Sequence, residues 1–331
     1  MRSKQTAAVL KRDKVKEKKM TKTDSRKQAQ KNKKTSTREY TEAIIVALLA
    51  ALFLRAFVVQ AFRIPTGSMK DTLLVGDFLL VNKFIYGVRT PDGVPYPTLK
   101  AGFPFLDIAY APIQHWRLPQ FKQPKNGDVV VFKYPQDETL DYIKRCIAVA
   151  GQTLEVRNGE VFVDGQPEGK RSDLGRKYDP EEGRYVRRTK IVTPNNKTYV
   201  IRHHEEGFSR NEHFGPVEVP QKGKTIPVNA QTLKTYRTAI ESYEGLEDVA
   251  VRNGHLFLDG HEVTTYTFRQ DYYFMMGDNR DNSADSRSWG FLPAENVVGE
   301  ALIIYFSWNK WKDYWNLLES VRWSRIAHPI R

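Results

Sequence analysis

Ser68 stands in the stretch Ile64-Pro65-Thr66-Gly67-Ser68-Met69. Pro65 fixes one backbone dihedral, and Gly67 permits conformations that other residues avoid. A serine on such a bend can be exposed and aimed as a nucleophile, although the same residue types make ordinary turns. Its hydroxyl needs a base. Histidine is the usual one, and the chain has seven. His203, His204 and His213 lie in a polar region, His255 and His261 flank a hairpin pattern, and His115 and His328 sit in Pro-adjacent segments. None has a recognisable catalytic context. A lysine does the same work when burial lowers its pKa to about 7–8. Lys144, in Leu140-Asp141-Tyr142-Ile143-Lys144-Arg145-Cys146-Ile147, is the best candidate. Strand alternation puts it on the face of Tyr142 and Cys146, with Arg145 opposite. An edge-strand lysine that discourages aggregation would look the same. Lys70 is the weaker candidate, because Asp71 occupies the place a Ser-x-x-Lys spacing requires.

A third polar block, Gly277-Asp278-Asn279-Arg280-Asp281-Asn282-Ser283-Ala284-Asp285-Ser286-Arg287, follows the apolar Phe274-Met275-Met276. Its composition predicts a hydrogen-bonded loop, stiffened where Arg and Asp pair in bidentate fashion.

The elements that must position these residues are mainly strands. Phe78–Val81, Asp128–Phe132, Tyr142–Ala150 and Ala301–Phe306 are short runs rich in β-branched and aromatic residues, bounded by turn formers. Val156-Arg157-Asn158-Gly159 with Phe162-Val163-Asp164-Gly165, and Val251-Arg252-Asn253-Gly254 with Phe257-Leu258-Asp259-Gly260, each read as a hairpin around an Asn-Gly turn. No long amphipathic helix is evident after residue 62. The polar stretch 165–248 reads as a solvent-facing insertion. The single cysteine, Cys146, reads as a buried, inert thiol.

The net charge of +13 is uneven: residues 1–39 hold 15 Lys or Arg against 4 Asp or Glu. That tail has few large apolar residues and reads as disordered. Residues 43–62, AIIVALLAALFLRAFVVQAF, follow it. Twenty helical residues span about 30 Å, the thickness of a bilayer's hydrocarbon core. The basic tail would then lie in the cytoplasm and the rest outside. Trp308, Trp311, Trp315 and Trp323, interleaved with Lys and Arg, suit either a headgroup layer or an aromatic core edge.

Four blocks carry a resemblance: Ile64–Met69, Gly76-Asp77 to Tyr86-Gly87, Gly127-Asp128 to Gly151, and Gly277-Asp278 to Pro293. In this order they resemble bacterial type I signal peptidases, or leader peptidases. The resemblance implies that Ser68 is the nucleophile and Lys144 the general base. It implies that Ser283 hydrogen-bonds and orients the lysine. Thr66, with the backbone N–H of Ser68, matches the oxyanion hole, and Asp285 with Arg287 a supporting ion pair. Phe62, Ile64, Met69, Leu73, Tyr142 and Ile143 align with residues lining the pockets for small substrate side chains. The family often has Ser where Thr66 stands, and commonly Pro where Asp71 stands.

The expected architecture is a mainly β fold behind one membrane helix. Residues 1–42 form the cytoplasmic tail and 43–62 the transmembrane helix. Residues 63–152 and 270–331 form an antiparallel catalytic β-domain, and 153–269 an inserted β-rich non-catalytic domain. The expected function is a single-pass serine endopeptidase of the bacterial inner membrane that removes signal peptides after A-x-A-like sites by an acyl-enzyme route. Its expected partners are preprotein signal peptides, membrane lipid and the export machinery, with no nucleic acid, metal or cofactor. Rival readings are a specialised peptidase of a conjugation or pilus system, a catalytically silent binding protein that kept the fold, and a DNA-binding membrane protein using the basic tail.

Overall fold

The structure, a computed structural model, describes residues 39–55, 57–87, 93–99, 106–112, 117–204, 213–309 and 317–331. His115, Trp311, Trp315 and most of the basic tail lie outside the described residues. The chain divides into two compact units, Met1–Ala56 and Phe57–Arg331.

In the first unit residues 39–55 form helix α1, with Ile44, Val46, Leu49 and Phe53 all exposed. Among the described residues no helix is long and apolar enough to cross a membrane. The expected helix over 43–62 is too long at its C-terminal end, because Val59–Arg63 is strand β1. This segment starts from Val58-Val59, and β-branched residues favour a pleated strand. It also has a partner in β2, Asp77–Asn82, with Ala61 opposite Leu80 and Arg63 opposite Phe78.

The second unit is built on an eight-stranded antiparallel sheet. Its strands run β1, β2, β21 (Val297–Ser307), β5 (Val129–Tyr134), β6 (Asp137–Val149), β19 (Tyr272–Met276) and β20 (Leu292–Pro293), and β22 (His328–Pro329) also pairs with β21. β19 is buried at every residue, which is why its sequence, Tyr-Tyr-Phe-Met-Met, does not alternate. One cluster on the sheet joins Ile64, Met69, Leu73, Leu79, Val129 and Ile304, and another joins Tyr86, Phe132, Cys146, Met275 and Trp289.

The remaining strands form smaller sheets. β3 (Gly93–Leu99) pairs with β4 (Leu106–Pro112). β7 (Thr153–Arg157), β8 (Glu160–Val163) and β9 (Gln166–Pro167) form the first expected hairpin and its extension, with β13 (Phe214–Glu218) beside β7. β10 (Lys170–Asp179), β11 (Arg184–Val192) and β12 (Thr198–His204) form a three-stranded sheet. β14 (Thr225–Pro227) pairs with β18 (Thr265–Thr267). β15 (Val249–Arg252), β16 (His255–Leu258) and β17 (His261–Val263) form the second hairpin and its extension. Asn158 and Gly159 have φ of 50° and 74°, and Asn253 and Gly254 have 52° and 82°. Two successive positive φ values make the tight turn whose twist matches the flanking strands.

One helix was not read from the sequence. α2, Ala230–Tyr243, buries Leu233, Ala239, Ile240 and Tyr243 and is closed by a capping box between Asn229 and Thr232. Its Thr and Tyr content favours strand, but Leu233, Ile240 and Tyr243 recur at helical spacing. Two short helices, α3 (Ser286–Trp289) and α4 (Leu317–Ser320), complete the secondary structure discussed below.

Candidate active site

The turn bearing Ser68 leaves β1 and is pinned at its base. Ile64 N donates to Asp77 O at 2.9 Å, and Gly76 N donates to Ile64 O at 3.0 Å. Ile64, Met69 and Leu73 point into the core with 3%, 1% and 0% exposure, so the turn is anchored by its apolar residues. The freedom expected of Gly67 is not used, since it is not among the residues with positive φ. Asp71 takes that role with φ 79°. Such a conformation costs a non-glycine residue about 1–3 kcal/mol. Proline cannot adopt it, so the turn after Ser68 is one that the Pro common at this position in the resembled family could not make.

Lys144 comes from β6, opposite Val130 of β5. Its Nζ donates to Ser68 Oγ at 2.6 Å and lies 5.4 Å from the centre of the Tyr142 ring. Ser68 is 9% exposed and Lys144 5%. Burial pushes the Lys144 ammonium down to about 8, against the opposing charges of Asp285 and Asp278. An amine with that pKa is neutral in roughly a tenth of molecules at pH 7, far more than an unburied lysine. It can then take the proton of the hydroxyl it touches.

Lys70 is the opposite case. Burial alone would lower its pKa, but hydrogen bonds to Asp179 and Glu181 outweigh that and leave it raised. Its Nζ lies 2.7 Å from carboxylate oxygens of both. A cation so paired is a structural tether and a poor base. Among the described residues no histidine hydrogen-bonds Ser68; His204 contacts Glu182, and His203 faces Asp281 at 3.7 Å.

The loop after β19 closes over the turn. Asn279 N donates to Ser68 O at 3.0 Å, and Asn279 Nδ2 donates to Gly67 O at 3.1 Å. A Cβ on Gly277 would sit 2.2 Å from Ser283 Oγ and 2.5 Å from Ser68 O, so the loop approaches this closely only because residue 277 has no side chain. Ser283 is therefore beside the Ser68 backbone. The hydrogen bond expected from it to Lys144 is absent, and Ser283 Oγ is buried with no hydrogen-bond partner. The Lys144 amine is instead directed to Ser68 Oγ. Asp285 and Arg287 pair as expected at 2.8 Å, and the Asp285 carboxylate also accepts from Gly277 N at 3.0 Å. The carboxylate thus holds the loop at the point of closest approach.

Beneath the loop lies a buried pair that the sequence reading did not single out. Arg145 donates to Asp278 through Nε at 2.8 Å and Nη2 at 2.6 Å, both side chains having 0% exposure. Thr72 Oγ1 donates to the same carboxylate at 2.5 Å. The signal was two consecutive cations in an apolar strand: alternation sends Lys144 to one face and Arg145 to the other, and a buried arginine needs a carboxylate. Thr66 is exposed. Of the residues expected to line substrate pockets, Phe62, Tyr142 and Ile143 are half-buried. Ile64, Met69 and Leu73 are buried in the core.

The family model described as "Signal peptidase, peptidase S26" matches residues 37–308. The chain belongs to this family. It is 31% identical over 273 residues to a signal peptidase I of Aquifex aeolicus, covering 80% of this chain and 82% of that one. It is 30% identical over 294 residues to a signal peptidase I of Pseudomonas aeruginosa, covering 84% of this chain and 75% of the other. A crystal structure of a signal peptidase I from Enterococcus faecalis shares 17% identity, with 54% of this chain and 97% of that chain covered and a TM-score of 0.24. The family is one of serine proteases, and this member is a hydrolase of the signal peptidase I type.

Proposed function

We propose that the protein cleaves signal peptides from exported preproteins with Ser68 as nucleophile and Lys144 as general base. The observation that carries this reading is the 2.6 Å contact between a buried amine of lowered pKa and a serine hydroxyl on a constrained turn. Neutral Lys144 takes the Ser68 proton as Oγ attacks the scissile carbonyl. Thr66 Oγ1 and the Ser68 N–H stabilise the tetrahedral oxyanion. The C–N bond breaks as the lysine returns a proton to the leaving amine. Water, activated by the same lysine, then hydrolyses the acyl-enzyme.

Cleavage after small residues fits a shallow site bordered by Phe62, Tyr142 and Ile143, with the side chains beneath them already packed. The apolar run beginning at Ala43 serves as a membrane anchor, and Ser68 follows it closely in sequence. A substrate's own apolar segment ends in an A-x-A-like site at the same membrane face. The 153–269 block is not part of the chemistry in this reading, although its strands brace the catalytic turn. Export machinery and lipid are its neighbours in the membrane.

The test is incubation of the full-length protein in lipid or detergent with a preprotein, followed by determination of the new N-terminus. The expected product begins after an A-x-A-like site, and Ser68→Ala, which loses one oxygen, folds but makes none. An uncut preprotein, or a Ser68→Ala protein that cuts as well as the wild type, would remove the reading.

A further inference from the structure

The Ser68 turn is held by charges from a sheet other than the one bearing Lys144. Lys70 contacts Asp179 at the end of β10 and Glu181 in the β10–β11 turn. Asp71 Oδ2 lies 3.1 Å from Arg188 Nε of β11 and 3.3 Å from Arg202 Nε of β12. Arg202 is 3% exposed, and its Nη2 also meets Asp179. Its backbone is bonded into the opposite wall of the site: Arg202 N donates to Asp278 O at 2.8 Å, and Arg280 N donates to Arg202 O at 3.0 Å. One residue thus contacts both the turn of Ser68 and the loop that covers it.

Asp71 sits three residues after Ser68 in a left-handed conformation. Aspartate visits that region more readily than most residues, but a single strained residue persists only when its surroundings hold it. The two arginines supply that hold from strands distant in sequence. Electrostatic tethering here fixes where the chain leaves the turn, and hence where Ser68 Oγ sits relative to Lys144 Nζ.

We infer that Asp71 and Arg202 are positioning residues for Ser68, so that the β10–β12 sheet sets the geometry of the reacting serine. This rests on the reading of Ser68 as nucleophile. It assigns to the inserted segment a contribution to turnover rather than to stability alone.

The decisive variant is Asp71→Gly in the full-length protein, assayed on a preprotein beside wild type and Ser68→Ala. Glycine adopts φ 79° without strain, so the melting temperature should hold or rise. Loss of the carboxylate frees the turn, and misplacement of a reacting atom by about 1 Å can cost about 10²-fold. The expected result is a kcat about 10–100-fold lower with KM within about twofold. Asp71→Asn keeps an acceptor for the arginines and tolerates the left-handed region, so it should recover most of the rate. Arg202→Gln should lower kcat too, and the double variant with Asp71→Gly should lose no more than Arg202→Gln alone, because both break one tether. An Asp71→Gly protein with wild-type kcat overturns the inference, as does a rate loss matched by a loss of folded protein. A wild type that does not cut, like Ser68→Ala, overturns the functional reading and the inference with it.

Discussion

Lys144 and Lys70 both approach the Ser68 turn, and their partners decide which can act as a base. Burial holds Lys144 down to about 8, whereas Asp179 and Glu181 keep Lys70 raised. If neutral Lys144 is the base, kcat/KM should climb about tenfold per pH unit below about 8 and level off above it. A pH–rate profile checks this, and a flat profile from pH 6 to 9 speaks against the lysine. The same shift bears on stability. The folded pKa of about 8 lies below the 10.5 of an ordinary lysine. The unfolded chain therefore binds the proton more tightly, so the cost to folding is complete below about 8 and fades as pH rises through 10.5. Lys144→Met should be inactive yet melt higher than wild type at pH 7, with the gap closing above about pH 10. Thr66→Val, which keeps shape and loses the hydroxyl, should lower kcat by about 10²–10³ with little change in KM. An unchanged kcat would leave backbone donors as the oxyanion's only support. The pairing of Ser68 with Lys144 was legible because a buried lysine in an apolar strand is unusual. Asn279, Asp278 and Arg145 were less so, since Asn and Asp after a strand look like any turn.

Strands carry the site, and β2, β5, β6, β21 and the two Asn-Gly hairpins were legible from β-branched runs and turn residues. The strands of the polar stretch 165–248 were not, nor were α2 and β1. α2 was hidden by the Thr and Tyr residues along it, although Asn229 and the spacing of Leu233, Ile240 and Tyr243 were there to be read. The end of the first apolar run was overrun because hydropathy does not distinguish a helix from a buried strand, and only the pairing of Val59–Arg63 with β2 decides between them. The junction of β19 with its following loop depends on contact distance, which sequence does not encode. There Gly277 lets Ser283 and the Ser68 carbonyl meet. Gly277→Ala would place a carbon 2.2 Å from Ser283 Oγ and 2.5 Å from Ser68 O, so one of them must shift. Turnover should fall at least about 10²-fold, with KM and expression affected less. A Gly277→Ala enzyme of normal kcat would show that the loop can move away without disturbing Ser68.

For the whole chain, charge asymmetry and chemistry have to agree. Residues 1–39 carry a large positive excess ahead of the apolar run that begins at Ala43. Moving that excess outward costs about 2.3 kcal/mol per charge per 100 mV. Protease added outside permeabilised or wall-stripped cells should therefore digest the folded unit and spare an N-terminal tag, and the reverse pattern would invert the proposed topology. The central claim, that Ser68 is acylated with Lys144 as its base, is tested most directly by quenching a single turnover with a preprotein and mapping the acylated residue by mass spectrometry across pH. The expected adduct lies on the peptide containing Ser68, forms at half its maximal rate near pH 8 and is absent in Lys144→Met. Cleavage with the adduct on another residue, or Ser68 acylation at an undiminished rate in Lys144→Met, would contradict it.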